Sequence, residues 1–182
     1  MLVLEILGLR LIAPYVGVTL QTNSAVIGVA LAGIATGAWL GGQAADLVNP
    51  RVVLGPLVLT AGVLSLLTLP LVRYAGEAIG EAGSAPASTV VVLAVLAVFA
   101  PALLLSAVTP MVVKLQLGDL RRTGEVVGKL SGLGTVGAIM ATFVTGFVLV
   151  AALPSTAIVL GLGGLLVLGG AGLALLLATG RP

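Results

Sequence analysis

Long apolar runs, each about the length a helix needs to cross a lipid bilayer, alternate along this chain with short polar breaks. A spanning helix takes about 20 predominantly apolar residues. Six such runs fit, at about 1–20, 25–45, 52–72, 89–113, 126–153 and 155–179. The breaks carry turn and capping chemistry. Gln21-Thr22-Asn23-Ser24 closes the first run, with Ser24 expected as the N-cap of the second helix. Asn49-Pro50 is a turn dipeptide between the second and third. Arg73 to Ser88, rich in Gly, Ala and Ser and carrying Glu77 and Glu81, is expected to be an exposed loop with at most one helical turn. Lys114 to Gly124 is expected to be a charged loop. The fifth run is longer than a bilayer requires, so it should tilt or begin in the interface. Pro154 and Ser155 form a tight turn, with Ser155 as a second expected N-cap.

Composition makes the bilayer the solvent. Of 182 residues, 59% are hydrophobic and only 8% charged, against roughly 25% charged in a soluble domain. Eight basic and six acidic side chains cannot cover a water-facing surface of this size. The expected fold is therefore an all-α integral membrane protein, a single transmembrane domain over 1–182 built as a bundle of about six helices. Six spans and their loops leave no room for a soluble catalytic domain. The chain has no cysteine and no histidine, which excludes a disulfide framework, thiol catalysis and most zinc chemistry. Paired carboxylates and a phosphate loop are also missing, so neither an enzyme nor a cofactor or metal is expected. Glu5 and Arg10 interrupt the first run, and the small-residue cleavage pattern of a signal peptide is missing.

Orientation follows from the basic residues in the loops. With six spans, Arg51, Lys114, Arg121, Arg122, Lys129 and Arg181 share one side and Arg73 lies on the other. The first group marks the cytoplasmic face of a cell (inner) membrane, and the even span count puts both termini there. Tyr15 and Tyr74 then fall near the outer interface and Trp39 towards the inner one, as aromatic anchors do. Loop positives of this kind are topology signals rather than a nucleic-acid site.

Small residues pattern the helix faces. Gly33, Gly37 and Gly41 recur every four residues on the second span, and Gly124, Gly128 and Gly132 do so on the fifth, with Gly134 and Gly137 following. The sixth carries Gly161, Gly163, Gly164, Gly169, Gly170 and Gly172. Such ridges let backbones approach closely in lipid; they serve either helix packing or a sliding or dimer surface.

The polar residues inside the runs are where chemistry could reside. A charged side chain at mid-bilayer costs about 2.5–3.5 kcal/mol on insertion scales. With Met1 at the interface, Arg10 falls roughly 13 Å deep, near the middle of a hydrocarbon core of about 30 Å. Glu5 and Arg10 are about 140° apart on an ideal helix, so they do not share a face. Pro14 removes a backbone donor and leaves the Arg10 carbonyl without its usual partner, so a kink there can bring a polar backbone group beside Arg10. Either Glu5 snorkels to the cytoplasmic interface and Arg10 ties helices together, or the pair serves substrate binding or gating. Asp46 ends the second helix, where the macrodipole disfavours an anion, so it needs a partner: Arg51 or the N-terminus of another helix. Pro101, Ser106, Thr109 and Pro110 break the register of the fourth span. The two hydroxyls there either satisfy freed carbonyls or touch a polar substrate.

The segment Glu5-Ile6-Leu7-Gly8-Leu9-Arg10-Leu11-Ile12-Ala13-Pro14-Tyr15-Val16-Gly17 resembles the first span of the membrane domain in bacterial spermidine synthase-like proteins. These are fusions of a major facilitator-like membrane domain to a spermidine synthase domain. The resemblance continues through Leu31 to Asp46, Pro101 to Leu115 and Gly124 to Phe147, with Ser106, Pro110, Gly128, Gly134 and Gly137 in place. Gly42, Asp46 and Arg51 are similar to the cytoplasmic loop motif of major facilitator transporters, from which Leu47, Asn49 and Pro50 depart. The resemblance implies a half-major-facilitator-like bundle in a polyamine-related setting, without the aminopropyltransferase domain. The candidate substrate-binding or gating residues are Glu5, Arg10, Pro14, Tyr15, Ser106, Thr109 and Pro110.

Three functions are compatible with this reading. One is a transport unit for a cationic metabolite such as a polyamine, working as a homodimer because six helices are half the facilitator number. A second is a non-transporting scaffold that recruits a soluble aminopropyltransferase through Lys114, Asp119, Arg121 and Arg122. A third is binding of an anionic lipid at that same basic loop.

Overall fold

The computed structural model describes residues 1–79, 86–116 and 123–179. Expectations that rest on Glu81, Asp119, Arg121, Arg122 and Arg181 lie outside the described residues. Every element among the described residues is helical. In chain order they are α1 (Leu2–Val16), α2 (Leu20–Leu47), α3 (Pro50–Ile79), α4 (Ala87–Gln116), α5 (Thr123–Ala152) and α6 (Ser155–Thr179). α4 and α5 each contain one π-helical turn, at Val95–Phe99 and Val144–Leu149.

Five of these helices, α2 to α6, are long and apolar enough to cross a membrane. The first is not. α1 has 15 residues, which reach about 22 Å against a hydrocarbon thickness of about 30 Å. The first helix ends at Val16, ahead of the expected end near residue 20. α1 stops at Gly17, whose φ of +75° lies in the left-handed region that side chains disfavour. The chain turns there, and α2 starts at Leu20, four residues ahead of Ser24. Thr19, not Ser24, caps α2. Its Oγ1 accepts from the Thr22 N–H at 3.1 Å, while the buried Thr22 hydroxyl donates to the Gly17 carbonyl at 3.0 Å. A threonine one turn ahead of the first free N–H groups can satisfy one of them; Ser24 already lies inside the first turns.

α3 and α4 extend beyond their expected bounds at both ends, and α6 keeps its expected 155–179. Pro50 opens α3, where a missing N–H costs nothing, and the Asn49 Oδ1 accepts from the Arg51 N–H at 3.1 Å. α3 then runs past 72 to Ile79 instead of ending in a loop, with Arg73 and Glu77 paired at 2.9 Å one turn apart. Ser155 is the first residue of α6 rather than its cap; the Pro154 carbonyl accepts from Ala157 and Ile158.

Two helix pairs form the frame. α2 and α4 run parallel in close contact along Gly33, Gly37 and Gly41. A Cβ at Gly33 would stand 2.9 Å from the Phe99 carbonyl oxygen, one at Gly41 2.5 Å from the Ala107 Cα, and one at Gly37 would collide with the Leu103 backbone. α3 and α6 run antiparallel and also pack extensively against each other. Their interlocking glycines, Gly55 and Gly62 on α3 and Gly163 and Gly170 on α6, are seven residues apart on each helix, which is two turns and so one face. α1 leans across the frame. Ile12 joins a core with Val26, Val72, Leu93 and Val98, and Leu7 packs on Ile158 and Val159.

α5 is the exception. It touches α1 and the end of α4, and little else in the chain. A Cβ at Gly128, Gly134 or Gly137 would meet nothing within 4 Å. The expectation that these three pack helices is therefore not met within one chain: the α5 face that bears them has no neighbour. Leu133, Ile139, Phe143 and Phe147 stand exposed along α5, with the two phenylalanine rings stacked 5.8 Å apart. Large apolar side chains are exposed on α2 and α6 too, among them Trp39, Leu165 and Leu168. Water would not tolerate so much contiguous apolar surface; hydrocarbon accepts it.

The glycine contacts make a direct prediction. Gly37→Ala forces the α4 backbone to shift and should lower stability by about 1–3 kcal/mol, the usual cost of overpacking. Gly132→Ala, on the open face of α5, should leave it unchanged or slightly raised. Thermal unfolding of both variants in one detergent checks this; equal melting temperatures would contradict the α2–α4 interface.

Candidate functional site

The residues picked out from the sequence do not form one site. They divide among three cavities and one end of the bundle.

One cavity, about 690 Å3, is a half-open cleft between the ends of α1 and α3 and the start of α6. Arg10, Pro14 and Tyr15 line it from α1, Arg73, Tyr74 and Glu77 from α3, and Thr156 from α6. Tyr15 is not a free interfacial anchor. Its ring lies over Gly76, where a Cβ would stand 2.5 Å from the ring carbons. Arg10 is exposed and lies beside the end of α5, its Nη1 making a long 3.4 Å contact with the Val150 carbonyl oxygen. That carbonyl is open because the residue four positions on is Pro154, which has no N–H. So a polar backbone group does sit beside Arg10, but Pro154 in the turn between α5 and α6 frees it, not Pro14.

Glu5 occupies a different place. It lines a groove of about 270 Å3 between α1, α2 and α5, together with Asn23 and Thr142 and otherwise apolar side chains. Thr142 sits ten residues before the end of α5, about 15 Å from that end. The depths expected from the sequence are thus exchanged. Arg10 reaches one end of the bundle, and Glu5 lies well inside it. The reason is alignment: the Gly17 end of α1 is level with the bundle end, and Met1 lies alongside the middle of α4, its Sδ 3.7 Å from the Ser106 hydroxyl. Among the described residues no side-chain hydrogen bond or salt bridge holds the Glu5 carboxylate; the Met1 amino group acts on it electrostatically. The two charges face different cavities.

Ser106, Thr109 and Pro110 line a third, shallow groove of about 490 Å3 with Ile34 and Ala38 of α2. Neither hydroxyl donates to a freed carbonyl. That role falls to a residue the sequence did not single out. Pro101 leaves the Ala97 carbonyl, inside the π turn, without its usual donor, and the buried Thr68 of α3 lies 3.4 Å from it, sharing its one hydroxyl proton with the Leu64 carbonyl at 3.1 Å. Pro101 signals the freed carbonyl, but only the fold identifies the threonine that meets it.

The opposite end of the bundle carries the loop-motif residues. Asp46 pairs with Lys114 at 2.6 Å, joining the end of α2 to the end of α4. The expectation of Arg51 or a helix N-terminus as its partner is corrected: α2 and α4 are parallel, so their carboxyl ends coincide, and Lys114 suits the negative end of both. Arg51 lines a small crevice against Ala174 and Leu177 of α6. Gly42 faces open space. Lys129 pairs with Glu125 one turn away on α5. Among the described residues, no three acidic side chains come together as a metal site would require.

Compared with family models, curated proteins and solved structures, the chain matches none. The geometry above is therefore the whole basis for a functional reading.

The Asp46–Lys114 pair is partly exposed, so its contribution to stability should be small, about 0.2–1 kcal/mol. A double-mutant cycle with Asp46→Ala and Lys114→Ala, read by thermal unfolding, should give a coupling in that range. A coupling above about 3 kcal/mol, as expected for a buried pair, would contradict the exposed geometry.

Proposed function

We propose that this chain is a membrane-embedded, half-facilitator-like transport unit for a cationic amine, with Glu5 as the residue that meets the ammonium charge. The supporting observation is the Glu5 groove. It holds a single carboxylate, two neutral polar groups in Asn23 and Thr142, and apolar walls. A carboxylate removed from bulk water needs a cation or a set of donors to offset its desolvation. Arg10, the nearest basic residue in the sequence, faces another cavity and is engaged by Val150, so it neither neutralises Glu5 nor repels a cation from it. An ammonium group, with several N–H donors and an aliphatic stem, fits both the charge and the walls.

One carboxylate takes one ammonium at a time. A polyamine would need a second acid, and a second copy of the chain supplies one. A homodimer is thus part of this reading, as half of a facilitator-sized bundle would require. We place the Asp46–Lys114 end in the cytoplasm of the cell (inner) membrane. Among the described residues, Arg51, Lys114 and Lys129 lie at that end, and Arg10 and Arg73 lie at the other.

The test is uptake of labelled spermidine by liposomes that contain the purified protein. Uptake should saturate, and Glu5→Gln should reduce it about tenfold or more, the usual loss when a hydrogen bond to a charged group is removed. Absence of uptake under every imposed gradient, or uptake indifferent to Glu5→Gln, would rule this function out.

A further inference from the structure

The cleft at the other end of α1 has the opposite chemistry, and the amine reading makes no use of it. Arg10 and Arg73 enter it from two different helices, and Thr156 enters from the amino end of α6, where the helix dipole favours an anion. Glu77 is the one acid in the cleft. It engages Arg73 through Nε alone, at 2.9 Å. A guanidinium carries five N–H donors in a planar fork, so most of the donors of Arg73 remain for another partner, and Arg10 spends one on a long contact with Val150. Tyr15 and Tyr74 add hydroxyls, while Leu11 and Pro70 make the remaining wall apolar. The cleft is half-open, and at about 690 Å3 it exceeds the Glu5 groove more than twofold.

We propose that this cleft binds a phosphate-bearing anion, held by Arg10 and Arg73 in fork-like contacts with Thr156 as a further donor. Two arginines, a net positive lining and an adjoining apolar wall match a phosphodiester on an acyl chain, as in an anionic lipid headgroup. A free phosphate group has the same recognition chemistry. The proposal is independent of Glu5 and of amine transport. It also differs from lipid binding around Lys114, which pairs with Asp46 at the opposite end of the bundle. Glu77 gives the site a distinctive signature, because it competes with the anion for Arg73: removing its charge strengthens anion binding, whereas it would weaken binding of any cation.

The experiment uses the full chain in nanodiscs of phosphatidylcholine with phosphatidylglycerol, and native mass spectrometry of the lipid retained on release. Phosphatidylglycerol should be retained over phosphatidylcholine. Arg10→Gln with Arg73→Gln should cut that retention about tenfold, and Glu77→Gln should increase it. Lys114→Gln, at the far end, should change nothing. In a second arm, inorganic phosphate is titrated against thermal unfolding in a neutral detergent. A rise in melting temperature that requires both arginines assigns the site to free phosphate, and retention of lipid without such a rise assigns it to the headgroup. Equal retention of the two lipids together with no effect of phosphate would overturn the proposal, as would retention that falls in Lys114→Gln but not in the double arginine variant. If the double variant does not fold, Glu77→Gln decides: retention unchanged or reduced overturns the proposal.

Discussion

In hydrocarbon, a backbone carbonyl without a donor costs several kcal/mol, and the architecture of this chain follows from meeting that cost. Helices do most of it, but prolines and two π turns interrupt them. Two of the carbonyls that prolines free are approached by a side chain from another helix. Thr68 of α3 reaches the Ala97 carbonyl that Pro101 leaves open, and Arg10 of α1 reaches the Val150 carbonyl that Pro154 leaves open. Elsewhere hydroxyls fold back on the carbonyl four residues earlier, as Ser65 does to Ala61 at 2.7 Å and Thr36 to Ala32 at 2.7 Å. These hydroxyls thus sit in an apolar bundle with their protons engaged. Thr145 is the departure. Its hydroxyl is fully buried in the π turn of α5 with no hydrogen-bond partner among the described residues.

Close approach of helices is the second consequence. With no hydrophobic drive between helices in lipid, contact depends on small residues that bring backbones together. Gly33, Gly37 and Gly41 fix α4 on α2, and Gly55, Gly62, Gly163 and Gly170 fix α6 on α3. These contacts define a rigid frame. α1 crosses that frame, and its two charges end on opposite sides of the crossing: Glu5 in a groove beside α2 and α5, Arg10 in the cleft beside α3 and α6. A separation of five residues, which rules out a shared face on one helix, here puts a carboxylate and a guanidinium into two cavities of contrasting charge.

The helical membrane architecture was legible in the sequence because composition alone excludes a water-facing surface, and the six apolar runs correspond to the six helices. Boundaries were less so. Gln21 to Ser24 looks like a loop because it is polar, yet Gly17 and Thr19 end the turn earlier, and inside α2 the Thr22 hydroxyl is buried on the Gly17 carbonyl while Asn23 lines the Glu5 groove. Glycine spacing identified the α2 face correctly in kind but treated α5 the same way. The two ridges look alike along the chain and differ only in whether a neighbour stands opposite. Asp46 was recognisable as an anion in need of a partner, but Lys114, sixty-eight residues away, could be named only once α2 and α4 were known to run parallel. The cleft residues Arg73, Tyr74, Glu77 and Thr156 carried no motif at all; they meet Arg10 only because α1 ends beside α3 and α6.

Everything above depends on a bundle whose charged ends lie on opposite sides of a bilayer. The absence of native cysteine makes this accessible to single-cysteine labelling in sealed membrane vesicles. Asn49→Cys at the start of α3 and Tyr74→Cys near its end should react with an impermeant thiol reagent from opposite faces only, and Leu64→Cys, midway along the same helix, from neither. Labelling of Asn49→Cys and Tyr74→Cys from the same face, or of Leu64→Cys from either, would contradict a membrane-spanning α3 and the two-ended bundle built around it.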